Sequence, residues 1–318
     1  IPAACTCSFI LLRKKLPVCN SNCERKRRMG KFILKRLVSI IVIFFIASII
    51  IFLLVRIAPG DVAASIAGGG KTTQATLDAI RVKYHLNDSI FVQYGVWIRG
   101  IFQGDWGTSF QMKTPVLVLI TGLMVLTFQL ILMGFVTGIL VSLPLGIISA
   151  VRQGTYTDHV ISVLTTVTAA CPAYFIGMLC MLLFSYRLGW FPVYGSGNGF
   201  VQNLYFLFLP ALSIGLGMVA MNAKNLRASM IAAHESNYIL TACAKGLSNR
   251  RIIMYHTLKN AVVPYFTISG LEVASILGST SIIERTFSIS GIGSLLVDAV
   301  AKNDYPVVQG VTLVIVVL

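Results

Sequence analysis

The chain has 318 residues, of which 56% are apolar and only 12% are charged. A soluble domain usually carries about 25% charged residues, so this composition excludes an ordinary soluble enzyme, and the apolar excess also excludes a disordered chain. A helical membrane protein that crosses the bilayer several times is the class that remains. The formal net charge is +15. Because the basic residues beyond position 28 lie mostly in loops between apolar runs, we interpret this charge as a signature of membrane topology rather than of nucleic-acid binding.

The segment 1–28 differs from the rest of the chain. It opens on Ile1 and holds four of the seven cysteines, whose spacing lacks the CxxC pairs and neighbouring histidines that zinc sites use. Met29 begins a short basic stretch that leads directly into an apolar run. We therefore expect translation to begin at Met29, residues 1–28 to be an upstream or non-native extension, and residues 29–318 to form one membrane domain.

Charge-free apolar runs predict six membrane-spanning helices, since a span needs about 20 predominantly apolar residues. Pro115 suits the start of the second run, and Pro172 lies inside the third. The last run ends with the chain and reaches only about 20 Å at roughly 1.5 Å per residue, so we expect the sixth helix to be truncated there. The predicted spans are residues 37–55, 114–151, 160–186, 204–223, 260–283 and 306–318.

The loop charges orient these helices with the N-terminus in the cytoplasm, because the inner segments then hold most of the basic residues. Two loops are longer than connectors. Residues 57–115, on the outside, contain a predicted helix over Thr73–Tyr84 and an aromatic-rich stretch that either caps the outer mouth or forms an interfacial aromatic belt. Residues 224–260, in the cytoplasm, predict two helical pieces that break at Gly246, where glycine permits a left-handed turn.

The cytoplasmic loop also carries an ordered motif, in which Tyr238 and Ala242 precede Ala244-Lys245-Gly246-Leu247 and Arg250-Arg251-Ile252 follows. This motif resembles the EAA loop of ABC-importer permeases, in the dipeptide, oligopeptide and nickel branch of the binding-protein-dependent transport family. The resemblance runs from Met29 to Leu318. Further motifs that carry it are Ala58-Pro59-Gly60-Asp61, Gly104-Asp105-Trp106-Gly107-Thr108-Ser109, Leu226-Arg227-Ala228-Ser229-Met230, Ile283-Glu284 and Asp304-Tyr305-Pro306.

The chain departs from the family pattern at two places. Leu240 stands where the general EAA pattern has a glutamate, which is usual in the peptide-type branch. Ser290-Gly291 replaces the family's Pro-Gly, so we expect the outer turn there to be less rigid.

The resemblance implies the fold of a type I ABC importer permease and a transport role without enzymatic activity in this chain. Such a permease pairs with a second, similar permease in the inner membrane of a bacterium or archaeon, where both contact membrane lipid. Each docks its cytoplasmic loop onto one of two ATPase subunits, which bind ATP and Mg, so we expect no cofactor and no metal in this chain. A solute-binding protein delivers substrate outside, and alternating access moves it inward.

By the same resemblance, the helix before Gly246 is the coupling helix. The residues expected to contact the ATPase are Asn237, Tyr238, Ala242, Lys245, Gly246 and Leu247. The run Gly68-Gly69-Gly70-Lys71-Thr72 resembles part of a phosphate-binding loop, but Ser65 stands where the first glycine is required. ATP hydrolysis is therefore expected of another chain.

Glu272 lies near the middle of the fifth predicted span. A carboxylate at that depth is costly and is a candidate functional residue by default. Two interpretations stay open: Glu272 lines the substrate pathway and attracts a cationic substrate, or it pairs with a polar group across the subunit interface. A peptide amino terminus and a nickel ion both suit a carboxylate, so the substrate stays undecided among dipeptides, oligopeptides, nickel and nickel chelates.

A secondary transporter or channel without an ATPase partner is the alternative function, because it has a similar number of spans. Such proteins need no docking loop and often show internal repeats or several intramembrane charges. This sequence has one clear intramembrane acid and no obvious repeat, which favours the ATP-driven importer.

Overall fold

The computed structural model describes residues 21–57, 63, 73–83, 87–197 and 199–318. Over these ranges the chain is all-α, as predicted, and its one β-type pairing is an isolated bridge between Thr108 and Pro115. Several features of the sequence fall outside the described residues: positions 1–20 of the predicted extension, the Ala58–Asp61 motif and the glycine-rich run 68–72.

The helices are numbered in chain order. They are α1 (Ser21–Ile57), α2 (Gln74–Lys83), α3 (Ile90–Phe102), α4 (Val116–Val151), α5 (Tyr156–Ala170), α6 (Ala173–Cys180), α7 (Phe200–His234), α8 (Asn237–Ala244), α9 (Asn249–Arg251), α10 (Leu258–Thr286), α11 (Ile292–Ala301) and α12 (Tyr305–Val317). Two further segments are π-helical. Met181–Arg187 extends α6, and Ile252–Thr257 joins α9 to α10.

Four helical segments of the described chain are long and apolar enough to cross a membrane: Phe32–Ile57 of α1, all of α4, all of α7, and Asn249–Thr286. A fifth span results if α5 and the segment Ala173–Arg187 are counted together. Helix α12 is apolar but has only 13 residues, fewer than a span needs. The structure therefore contains four to five of the predicted spans.

The third predicted span, residues 160–186, is not one helix. The two halves meet at an angle of 103°. Cys171 has an extended ψ of 127°, and α6 starts anew after Pro172. Proline lacks the N–H that a helix interior requires, and it pushes the preceding residue toward extended backbone. Pro172, which lies inside the predicted run, therefore divides this span into two helices.

The fourth predicted span, Leu204–Ala223, is too short at both ends, because α7 runs from Phe200 to His234. Lys224 and Arg227 marked the predicted end. In the structure each of these side chains reaches a polar partner on α5. Long basic side chains keep their charged heads solvated or paired while their stems lie along a helix, so their charge does not end α7.

Other predicted elements agree more closely. The helix predicted over Thr73–Tyr84 is α2, Gln74–Lys83, and the fifth predicted span lies inside α10. Pro264, expected at the entry to that span, lies within α10 after its first turn. The aromatic-rich stretch forms α3, in which Tyr94 and Trp97 pack against Phe52 of α1 with ring centroids 5.6 Å and 5.7 Å away.

The central contact of the fold joins α4 to α7. Glycines on both helices bring the two backbones together, because a Cβ at Gly215 of α7 would overlap Thr137 and the backbone of Gly138 on α4. Thr137 Oγ1 then donates across the contact to the carbonyl of Ala211 at 3.2 Å. Small residues that allow such close approach are a common basis of helix association in membranes.

Two apolar clusters extend this contact toward the two ends of the bundle. One cluster includes Leu130, Leu207, Ile214, Met218, Ile283 and Phe287. The other lies further along α7 and includes Leu226, Met230, Ala261 and Tyr265. Both clusters contain side chains of α7 and α10, so α7 forms the axis on which α4 and α10 pack.

Replacing Gly215 tests the close α4–α7 contact. We expect Gly215→Ala to lower the melting temperature of the purified protein in detergent, because overpacking a tight contact costs about 1–3 kcal/mol. Gly217→Ala is the matched control on the same helix, since the nearest atom to its added Cβ is 3.8 Å away. Equal melting temperatures of the two variants would contradict the predicted overlap.

Candidate functional site

The two ends of the helical bundle carry different loops. At one end, the α4–α5 turn and the segment between α7 and α10 surround a cavity of about 240 Å³. At the other end, the backbone N–H of Gly195 donates to Phe287 O at 2.9 Å, and Ser109 Oγ donates to Asp304. The segment predicted to be the cytoplasmic docking loop thus lies at the end opposite to the α3–α4 connection.

Helix α8 follows α7 almost at once and ends in a glycine turn. Gly246 has a φ of 72°. Its N–H donates to Cys243 O at 2.9 Å, and the N–H of Leu247 donates to Ala242 O at 3.3 Å. These hydrogen bonds define a Schellman C-cap, which requires a left-handed residue after the helix. Because α9 begins at Asn249, the break that the sequence predicted at Gly246 is confirmed.

One face of α8 is fixed to the loop itself. Ile239 and Ala242 are 3% and 5% exposed and pack with Ile252, while Leu247 packs against the same cluster. Ala242 and Leu247, two of the expected docking residues, therefore hold α8 in place within this chain. The expected docking residues that are exposed are Asn237, Tyr238, Lys245 and Gly246.

Leu240 was not among the predicted docking residues, although its side chain is 66% exposed. The helical spacing in the sequence could have indicated this exposure, because Ile239 and Ala242 share one side of a helix and Leu240 points to another. Leu240 and Tyr238 together expose apolar surface beside the polar residues Asn237 and Thr241 of the same helix. We call the exposed side opposite Ile239 the free face of α8; it consists of Asn237, Leu240, Thr241 and Ala244.

A buried ion pair that the sequence did not predict joins α5 to α7 near the same end. Arg227 donates to Asp158 twice, from Nε to Oδ1 at 2.9 Å and from Nη2 to Oδ2 at 2.8 Å. Ser149 Oγ on α4 and the N–H of Gly154 in the α4–α5 turn donate to the same carboxylate. Asp158 is only 3% exposed, so these donors replace the water that a buried carboxylate loses.

Glu272 on α10 is half-buried and pairs within its own chain. Asn222 Nδ2 of α7 donates to Glu272 Oε2 at 2.5 Å, and Ser269 Oγ donates to Asn222 Oδ1 at 2.8 Å. Asn222 and Ser269 are fully buried. The structure therefore gives Glu272 a polar partner on α7 of the same chain. No described residue donates to Glu272 Oε1.

The buried carboxylate of Glu284 ties α4 and α11 to α10. Glu284 accepts hydrogen bonds from Thr127 Oγ1 at 2.6 Å and from the N–H of Ser294 at 2.7 Å. Thr127 Oγ1 also accepts the N–H of Ile292 at 2.9 Å. Glu284 was identified in the sequence only as part of a family motif, without a structural role. The buried carboxylate also requires a small residue at Gly291, because a Cβ there would overlap it.

A second motif acid, Asp304, holds the α3–α4 connection. Its carboxylate accepts Ser109 Oγ, the N–H of Phe110 at 3.0 Å and the N–H of Gln111 at 3.3 Å. The motif that ends at Ser109 and the motif that begins at Asp304 are therefore one structural unit.

No metal centre is evident in the part of the chain that the structure describes. There, no group of three or more His, Cys, Asp or Glu side chains could hold a metal ion. Cys171, Cys180 and Cys243 are free thiols.

Two family models match the sequence. The model described as "Binding-protein-dependent transport system inner membrane component" matches residues 142–318, and the model "Binding-prot-dependent transport system membrane comp, N-term" matches residues 29–131. The chain belongs to this family. It is a multi-pass ABC-importer permease of the inner membrane, and its role is that of a transport component rather than an enzyme. Membership implies a solute-binding protein and ATPase subunits as partners.

Curated relatives agree with the family models. The glutathione transport system permease protein GsiC of Salmonella choleraesuis (strain SC-B67) is 33% identical over 281 residues, which cover 88% of this chain and 90% of that protein. The oligopeptide transport system permease protein AppB of Bacillus subtilis (strain 168) is 32% identical over 296 residues, covering 91% and 93%. The family resemblance carried by the motifs is therefore confirmed over most of the chain.

Substitution of Gly246 tests whether the left-handed turn positions α8. Valine is strained at a φ of 72°, whereas asparagine tolerates that region. The strain is about 1–2 kcal/mol, so we expect Gly246→Val to reduce substrate uptake by roughly tenfold at equal membrane abundance, and Gly246→Asn to retain most of it. A Cβ here meets no atom within 4 Å, so crowding does not confound the comparison. Equal uptake by both variants would show that the turn conformation is unimportant.

Proposed function

We propose that this permease forms, with a second and similar permease, the membrane pathway of an ATP-driven importer for peptides. Two ATPase subunits bind ATP and Mg, and each receives the α8 helix of one permease. A solute-binding protein delivers the peptide from outside. In this proposal the chain crosses the inner membrane of a bacterial or archaeal cell six times, with its N-terminus in the cytoplasm.

The observation that carries the proposal is the geometry of α8. The helix is anchored on one side by Ile239 and Ala242, is terminated by the Gly246 turn, and exposes its free face at the end of the bundle. A short helix that is held rigidly on one side and open on the other suits docking into a groove of a partner. A secondary transporter or channel has no need of such a helix.

The relatives support the proposed substrate class. One is named as a glutathione permease and another as an oligopeptide permease, and both names specify peptides. We therefore propose a peptide rather than nickel. Glu272 is the residue that we assign to the pathway, because one oxygen is held by Asn222 while the other receives no hydrogen bond from the described chain. A carboxylate oriented in this way can accept the amino terminus of a peptide.

A charge on the free face of α8 tests ATPase docking. We expect Leu240→Asp to abolish copurification of the ATPase with the tagged permease, because a buried and unpaired charge is costly at an interface. Tyr156→Asp is the matched control: Tyr156 is an 82% exposed apolar side chain at the start of α5, next to the α4–α5 turn. Copurification is measured from membranes in mild detergent. Retention of the ATPase by Leu240→Asp would remove the free face from the docking surface.

Neutralising Glu272 tests its assignment to the peptide pathway. A hydrogen bond to a charged group contributes about 1.5–3 kcal/mol, so we expect Glu272→Gln to lower the uptake of a labelled dipeptide by about tenfold. Glu235→Gln, at the exposed inner end of α7, is the control for loss of one negative charge. Uptake is measured in cells that lack the native gene and carry each variant at equal abundance. Undiminished dipeptide uptake by Glu272→Gln would exclude a role of Glu272 in the pathway. Uptake of labelled nickel instead of dipeptide by the wild type would overturn the assignment of peptides as the substrate.

A further inference from the structure

The ion pair between Asp158 and Arg227 connects elements that otherwise have few polar links. Asp158 lies in the first turn of α5, and its carboxylate receives Arg227 from α7, Ser149 from α4 and Gly154 from the connecting turn. A bidentate guanidinium–carboxylate pair fixes orientation as well as distance. The inner end of α5 therefore has a defined position and angle relative to α7.

Arg227 lies on the helix that leads into the docking segment. Helix α7 runs from Phe200 to His234 without a break, and α8 begins at Asn237. Leu226 and Met230, which flank Arg227, are packed in the apolar cluster with Tyr265 of α10. A displacement of α8 would act on Arg227 through the link of Glu235 and Ser236 and the last turns of α7.

Beyond its first turn, α5 presents an exposed apolar face. Val163, Leu164 and Val167 are 61%, 59% and 54% exposed. A second polar link to α7 is the hydrogen bond from Lys224 Nζ to Thr166 Oγ1 at 3.0 Å. Beyond Ala170 the chain turns by 103° into α6. The Asp158–Arg227 pair is therefore placed to determine how much of a movement of α7 is passed on to α5.

We propose that Asp158 and Arg227 are positioning residues for energy coupling, which carry the movement of the α7–α8 unit to the broken span α5–α6 when the ATPase subunits close. This inference rests on the proposed docking of α8 to an ATPase. It differs from a purely stabilising role, because a buried ion pair is replaceable by apolar side chains of similar volume with little loss of stability, whereas apolar side chains do not reproduce the bidentate geometry.

The test uses the importer purified through this permease, with its partner subunits, in proteoliposomes. The double variant Asp158→Leu/Arg227→Met removes both charges together and leaves neither one buried without a partner. We expect it to copurify with the ATPase and to hydrolyse ATP, but to transport about tenfold less substrate per ATP than the wild type, since substitutions within coupling networks change coupling by such factors. Arg227→Lys, which keeps the charge but loses the fork, should give an intermediate ratio.

A second ion pair supplies the control. Arg285 Nη2 and Asp298 Oδ1 are 3.2 Å apart at the other end of the bundle, with side chains 52% and 47% exposed. The variant Arg285→Met/Asp298→Leu should keep the wild-type transport per ATP. An unchanged ratio in Asp158→Leu/Arg227→Met, or in Arg227→Lys if the double variant fails to accumulate, would overturn the inference and leave the proposed function standing. Absence of an ATPase from the wild-type preparation would instead overturn the proposed function.

Discussion

The close approach of α4 and α7 is the constraint on which the rest of the structure depends. In a bilayer, lipid tails are as apolar as side chains, so helices associate through tight packing and polar contacts rather than through the hydrophobic effect. Gly138 and Gly215 allow this packing, and Thr137 adds a hydrogen bond across it. With α4 fixed on it, α7 becomes an axis whose N-terminal half packs in the cluster of Ile214 and whose C-terminal half packs in the cluster of Leu226.

The same environment dictates how the acidic residues are placed. A carboxylate within a membrane domain is costly unless it is paired or faces a cavity. Each of three acids meets this requirement with a partner on another helix. Asp158 pairs with Arg227 of α7. Glu272 pairs with Asn222 of α7, and Glu284 pairs with Thr127 of α4. Helices α4 and α7 thus supply the partners that make these acids tolerable. Of the three, Glu272 is only half-buried and retains an oxygen that the described chain does not bond, which distinguishes it from the two structural acids.

The sequence predicted the features that depend on local chemistry. The break at Gly246 follows from a glycine after a small-residue helix, and α2 and α10 follow from composition and apolar run length. The predictions failed where contacts between residues far apart in the chain decide where a helix ends or which side chains pair. The end of the fourth span was placed at Lys224 because its charge was counted without its partner Thr166. The pair of Asp158 and Arg227 could not be predicted, since residues far apart in the chain meet only after α5 and α7 have packed.

Pro172 divides the span α5–α6 into two halves that both pack on α7. The N-terminal end of α5 is held to α7 by the pair of Asp158 and Arg227. Gly177 of α6 lies so close to Phe287 that a Cβ would overlap its ring, and the same Cβ would be in tight contact with Ser213 of α7. Proline supplies no backbone donor, so the two halves are not joined by one continuous ladder of helical hydrogen bonds. The bend of 103° is therefore confined to this point, while each half keeps its own contact with α7.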